Sequence, residues 1–175
     1  MSIIVDGYNL IYAIDSVRTY ASPKHSDAER TEFIKLLASF ARLSGHSMTV
    51  VFDGGPGNQK PGALENVRII FSEEKSADSV IKEMVESSSY ARDLTVVSSD
   101  REIRSFVRSF GATSISTKDF VKEMMHLFKT KSKNQREPRE AILDEHQTDA
   151  DYWLNFFRMD KEEVKRQNKK LKDLW

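Results

Sequence analysis

The chain has 175 residues, 27 basic against 27 acidic side chains, 39% hydrophobic and 31% charged content, and no cysteine. That length suits one domain with a tail or subdomain. Balanced charge supplies no global basic field announcing nucleic acid, and the missing thiols exclude disulfides, zinc–thiolate sites and thiol catalysis. The charge is unevenly spread, however. Residues 1–89 hold 9 Lys and Arg against 12 Asp and Glu, and residues 90–175 hold 18 against 15, which permits a metal site beside an anion-binding surface. His25, His46, His126 and His146 form no ligand-spaced pair. No apolar run approaches about 18 residues and the first strand is too short and acidic for a signal peptide, so the chain reads as cytoplasmic, without membrane contact.

In chain order, Ile3-Ile4-Val5 runs into Asp6-Gly7-Tyr8-Asn9. A continuous β-branched run predicts a strand buried on both faces. Its carboxyl end then carries Asp6 and Asn9 to the sheet edge where open α/β folds place ligands. Gly7 reads as a sharp turn that keeps a side chain clear of a ligand. Leu10 to Ile14 fits either a short helix or a loop, and 18–25, with Pro23, reads as loop. Ser26 and Glu29 form a capping box for a helix with Phe33, Leu36, Leu37, Phe40 and Ala41 on one face, closed by Gly45. Met48 to Phe52 is a second strand ending in Asp53. The Gly54 to Asn58 loop after it lacks the Gly-Lys-Ser/Thr of a P-loop.

Val67 to Phe71 makes a third strand, and Ser76-Ala77-Asp78 opens a helix whose inner face is Val80 or Ile81, Met84 and Val85. Leu94 to Ser98 is the fourth strand, with Ser99 and Asp100 at its end; Ile103, Phe106, Val107 and Phe110 follow at helical spacing before Gly111. A fifth strand around Thr113 to Ile115 precedes a helix capped by Thr117, with Phe120, Val121, Met124 and Phe128 inward. Strands alternating with helices predict an α/β domain with a mostly parallel five-stranded sheet. We divide the chain into this domain (1–128), a basic linker or loop (129–147) and a helical C-terminal tail (148–175). In the tail, Tyr152, Trp153, Phe156 and Phe157 form an aromatic face that most simply docks on the core.

Asp6, Asp53 and Asp100 each end a predicted strand, and Asp78 starts a helix. Parallel strands share one carboxyl edge, so these acids are expected to converge. Like charges brought within about 4–6 Å repel and raise one another's pKa unless a cation neutralises them. Hard oxygen donors of this kind suit Mg²⁺ or Mn²⁺, which can activate water and stabilise charge on a scissile phosphate. Singly, Asp53 also fits a glycine-turn initiator, and Asp78 and Asp100 fit helix starts favoured by the dipole. Four at one edge favour the metal.

Ile4-Val5-Asp6-Gly7-Tyr8-Asn9, Val51-Phe52-Asp53-Gly54, Ser76-Ala77-Asp78 and Val97-Ser98-Ser99-Asp100-Arg101-Glu102-Ile103, in that order, resemble the YacP-like NYN-domain family of the PIN-like nuclease superfamily. The resemblance runs through about residues 1–128 and touches the tail at Tyr152-Trp153-Leu154. It implies a three-layer PIN-like domain with sheet order 3-2-1-4-5, an acidic site and metal-dependent cleavage of RNA. By motif, Asp6, Asn9, Asp53, Asp78 and Asp100 are the site residues; Ser79 stands where some relatives carry a second acid, which leaves one or two metals open.

Single-stranded RNA is usually held by cations along its backbone and aromatics against its bases. Tyr8, Tyr12, Arg18, Lys24, His25, Lys60 and Arg101 are the candidates for this, with Glu102 a minor candidate beside the last acid. Tyr8 also fits a half-buried packing residue, Arg101 an exposed helix start, and the run from Lys129 to Arg139 a solvated linker as well as a binding arm. The resulting expectation is a metal-dependent endoribonuclease. Its rival is a non-catalytic RNA- or ribosome-binding module of the same fold. A phosphatase using an aspartyl-phosphate wants an acid where Tyr8 stands, and a receiver domain wants an acidic pair and a lysine that are missing. DNA as substrate and the oligomeric state stay open.

Overall fold

The β-branched runs form the strands they predict, and the helices between them cover both faces of the sheet. The computed structural model describes residues 2–17, 27–56, 62–133 and 145–158. The elements are β1 (Ser2–Asp6), α1 (Gly7–Val17), α2 (Asp27–Ser44), β2 (Ser47–Phe52), β3 (Gly62–Leu64), β4 (Val67–Phe71), α3 (Ala77–Glu86), β5 (Leu94–Val97), α4 (Arg101–Ser109), β6 (Thr113–Ile115), α5 (Thr117–Lys133) and α6 (Glu145–Arg158). The sheet order is β3-β4-β2-β1-β5-β6. Every pairing is parallel except β3 with β4.

The expected order of five strands is therefore present as β4-β2-β1-β5-β6, with an antiparallel sixth at one edge. Gly62-Ala63-Leu64 is too short to display a period of two, so only its pairing with Val67, Arg68 and Ile69 reveals it as a strand. Strand alternation sorts the core into two layers. Ile3, Val5, Val50 and Val97 pack with α1, α2, α5 and α6 on one face. Ile4, Val51 and Val96 meet Ala77, Ile81 and Val85 of α3 and Ile103 and Val107 of α4 on the other. The inward positions predicted for α2 and α5 are all buried, and Ile81 rather than Val80 is the core residue of α3.

One local reading left open is settled and three change. Leu10 to Ile14 is helical, and its helix begins at Gly7 with no intervening loop. Gly7 is needed for packing: a Cβ there would lie 2.5 and 2.6 Å from two ring carbons of Phe52 and 3.1 Å from the Val51 carbonyl oxygen. The glycine lets a helix start against a neighbouring phenylalanine. Thr117 is the first buried residue of α5, and the cap is Ser116, whose hydroxyl accepts from the Asp119 amide at 3.2 Å and donates to the Asp119 carboxylate at 2.6 Å. Phe110, placed inward by spacing, is exposed at the end of α4. The Ser26 cap lies outside the described residues.

Gly7→Ala is expected to destabilise the protein by about 1–3 kcal/mol, the usual cost of forcing a methyl into a packed core. For a chain of this size that lowers Tm by about 2–12 °C. Thermal unfolding followed by circular dichroism measures it, and Phe52→Leu in the same chain should recover part of the loss. An unchanged Tm would show that the Phe52 ring gives way freely.

The stretch 129–133, read as the start of a linker, continues α5; 134–144 lies outside the described residues. Beyond it α6 packs on α2 and α5, burying Ala150, Trp153, Leu154 and Phe157. Tyr152 is exposed and its hydroxyl donates to Glu32 at 2.6 Å. The charged stretch from Asp160 to Trp175 is outside the described residues.

Candidate active site

The central strand sets the site. β1 lies between β2 and β5 in parallel register, so its last residue, Asp6, shares an edge with Asp53 just past β2 and with Ser98-Ser99-Asp100 just past β5. α3 contributes Asp78 from its first turn. The four predicted acids are close enough to feel one another: Asp78 is repelled by Asp6, Asp100 and Asp53, and Asp6 by Asp53.

Each acid is held differently. Asp6 is only 3% exposed. One of its oxygens accepts from the Asn9 amide N–H at 3.2 Å, and the other from the Asn9 side-chain NH₂ and, at 3.4 Å, from the Ser98 hydroxyl. Starting α1 immediately after β1 folds Asn9 back onto Asp6 within one turn. Asp53 is exposed, and one carboxylate oxygen accepts from the Ala77 N–H at 2.7 Å. This pins the loop after β2 to the start of α3. Asp100 caps α4, accepting from the Glu102 and Ile103 amides at 2.6 and 3.1 Å. The Ser98 hydroxyl also accepts from the Asp100 amide at 3.1 Å, so one buried serine joins Asp6 to Asp100. The sequence placed that serine only at the end of the fourth strand.

Burial raises the pKa of Asp6, and the bonds from Asn9 and Ser98 counter it in part while the Asp53 charge adds to it. Asp78 is also raised, chiefly by burial and then by Asp6, Asp100 and Asp53, with Lys82 opposing. An acid whose folded pKa lies above its unfolded value, about 3.9, binds its proton more tightly when folded. It therefore adds stability below about pH 4 that is lost as the pH climbs through the folded pKa. At neutral pH both charges weigh against folding. Asp78→Asn is accordingly expected to raise Tm at pH 7, with the gain shrinking toward pH 4; melting curves of parent and variant across that range test it. A gain that persisted unchanged at pH 4 would show that charge is not its source.

The donors are the hard oxygens that Mg²⁺ or Mn²⁺ prefers, and a cation would offset both the burial and the like charge that raise Asp6 and Asp78. Among the described residues no three Asp, Glu or His side chains form one ligand group. The set fits an ion that binds through one or two carboxylates and keeps several waters, as Mg²⁺ commonly does.

The other predicted contacts divide. Tyr8 is half-buried, its ring edge-on to Phe52 at 5.3 Å and its hydroxyl accepting from Arg30 at 3.4 Å. Tyr12 and Arg101 are exposed. Arg18, Lys24, His25 and Lys60 lie outside the described residues. Lys82, one helical turn beyond Asp78, was not anticipated; the i, i+4 spacing from Asp78 was the available signal.

Acids at the carboxyl edge of a mostly parallel three-layer α/β domain are the arrangement expected of a protein of the PIN-like kind. The chain belongs to the YacP-like NYN domain family, which matches residues 3–171, a family within the PIN-like nuclease superfamily. The crystal structure of Rae1 (YacP) from Bacillus subtilis aligns with a TM-score of 0.61 at 21% identity, covering 99% of this chain and 95% of that one. A mutant form of the same protein aligns at 0.59 and 20%, covering 90% and 98%. At these identities the likeness shows the fold. No curated protein sequence matches the chain significantly. Among the described residues, no helix is long and apolar enough to cross a membrane.

Proposed function

We propose that this protein is a metal-dependent endoribonuclease that cleaves single-stranded RNA. The observation that supports this most is the placement of Asp6, Asp53 and Asp100 at one sheet edge, with Asp78 in the first turn of α3 beside them, in a chain of a nuclease family. Asp6 and Asp53, with Asp78 and Asp100 around them, would hold Mg²⁺ or Mn²⁺. Bound there, the ion supplies the charge that lowers the pKa of water and stabilises the scissile phosphate as it is attacked. The protein's own part is positioning. Asn9 and Ser98 fix the Asp6 carboxylate, the Ala77 amide fixes Asp53, and the α4 cap fixes Asp100. No protein nucleophile is required.

The test is incubation of the full chain with a circular and a linear labelled single-stranded RNA, in chelator and then across a Mg²⁺ and Mn²⁺ titration. Cleavage of both RNAs only when divalent ion is added is the expected result, since a circle offers no end to an exonuclease. Binding of either RNA without turnover at any ion concentration would replace this reading with the non-catalytic RNA- or ribosome-binding module. Cutting undiminished in chelator would remove the metal. A matching DNA circle, run in parallel, decides between the two nucleic acids.

A further inference from the structure

Lys82 is a cation set beside the edge where Asp6, Asp53 and Asp100 lie. It follows Asp78 by four residues, so α3 presents both side chains on one face. Its ammonium donates to the Glu102 carboxylate at 2.5 Å, and Glu102 lies two residues beyond Asp100 on α4. The field of Lys82 reaches Asp78 and Asp100. The pair is asymmetric. The Lys82 side chain is only 25% exposed whereas that of Glu102 is 81% exposed, and the ammonium sits 5.7 Å from the centre of the Phe106 ring. The lysine is thus held by packing, and the glutamate is the partner that solvent, or another anion, can displace.

A polyanion approaching four carboxylates meets repulsion at every phosphate except where a cation faces it. An exposed ion pair adds little to stability, so a packed lysine with a displaceable partner is better suited to exchange one anion for another. We propose that Lys82 binds a backbone phosphate of the RNA next to the scissile one, with Glu102 occupying the ammonium until the phosphate displaces it. This rests on the endoribonuclease reading and deepens it by naming a phosphate contact at that edge.

The test measures binding of a short labelled single-stranded RNA to the full chain in chelator, by fluorescence anisotropy over a range of salt. Lys82→Met keeps the stem over Phe106 and removes the charge. It should weaken binding about five- to tenfold at low salt and reduce the salt slope by about 0.7, the share of one single-strand phosphate. Lys82→Arg should restore both. Glu102→Gln should tighten binding about two- to threefold, because the phosphate no longer competes with a carboxylate. With divalent ion present, Lys82→Met should raise KM and leave kcat nearly unchanged.

Equal affinity and equal salt slope for parent and Lys82→Met would overturn the assignment while leaving the nuclease reading intact. So would weaker binding by Glu102→Gln at unchanged Tm. A parent chain that neither binds nor cuts RNA would overturn both.

Discussion

Asp6→Asn is expected to lower metal-dependent cleavage on the order of 10²–10³-fold or more, the range seen when one preorganised electrostatic group is removed from an active site. Asp6 ends the central strand, is almost wholly buried, and is bound by Asn9 and Ser98, so its charge is held at a fixed place on the sheet edge. The fold should survive. Removing the buried charge relieves desolvation and the repulsion from Asp53. Against that, an amide presents only one acceptor where the carboxylate presents two, and its NH₂ would face the donors of Asn9 or Ser98. These effects oppose one another, leaving Tm within a few degrees of the parent. A cleavage assay on labelled RNA paired with thermal unfolding reads both quantities. Parent-like turnover in a folded Asp6→Asn protein would take this residue out of the mechanism.

The second large effect belongs to the far end of the chain. Trp153→Ala is expected to cost about 3–5 kcal/mol, as large-to-small changes of buried aromatics do, and to lower Tm by about 6–20 °C. Trp153 is 3% exposed and belongs to the same core layer as Phe120 and Phe128 of α5 and Phe33 and Leu36 of α2. Against a typical total stability of about 5–15 kcal/mol, that loss is a large fraction. Denaturant unfolding of parent and variant measures it, and a change below about 1 kcal/mol would mean that α6 contributes little to the core. The same packing alters how the tail should be tested. Truncation after Thr130 would strip α6 from α2 and α5, so weakened RNA binding by such a fragment would report exposed core as readily as a lost binding arm. Substitution of Lys129 and Lys131, both exposed on α5, probes the arm without that confusion.

Much of the architecture is local and was therefore legible. Ile3-Ile4-Val5, Val50-Val51-Phe52 and Val96-Val97 are β-branched or aromatic runs that suit strands buried on both faces, and helical spacing of Phe33, Leu36, Leu37 and Phe40 marked the inner face of α2. Once the strands were parallel, the shared carboxyl edge followed, and with it the placing of Asp6, Asp53 and Asp100 at strand ends along that edge, with Asp78 in the first turn of α3. What ties each acid down was harder to read. The Ser98 hydroxyl reaches Asp6 across 92 residues, and the Ala77 amide reaches Asp53 across 24; nothing in either neighbourhood announces its distant partner.

The residues alone determined the order of the strands along the chain, the helix faces that must be covered, and the positions at which carboxylates leave the sheet. Those follow from side-chain shape, polarity and period, which act over a few residues. Tertiary structure alone decided that Gly7 makes room for Phe52, that Gly62 to Leu64 becomes an edge strand, which helices α6 packs on, and that Lys82 meets Glu102. Each of these depends on which surfaces come within a few ångströms after folding, and contact at that range between distant residues leaves no periodic trace in a single sequence.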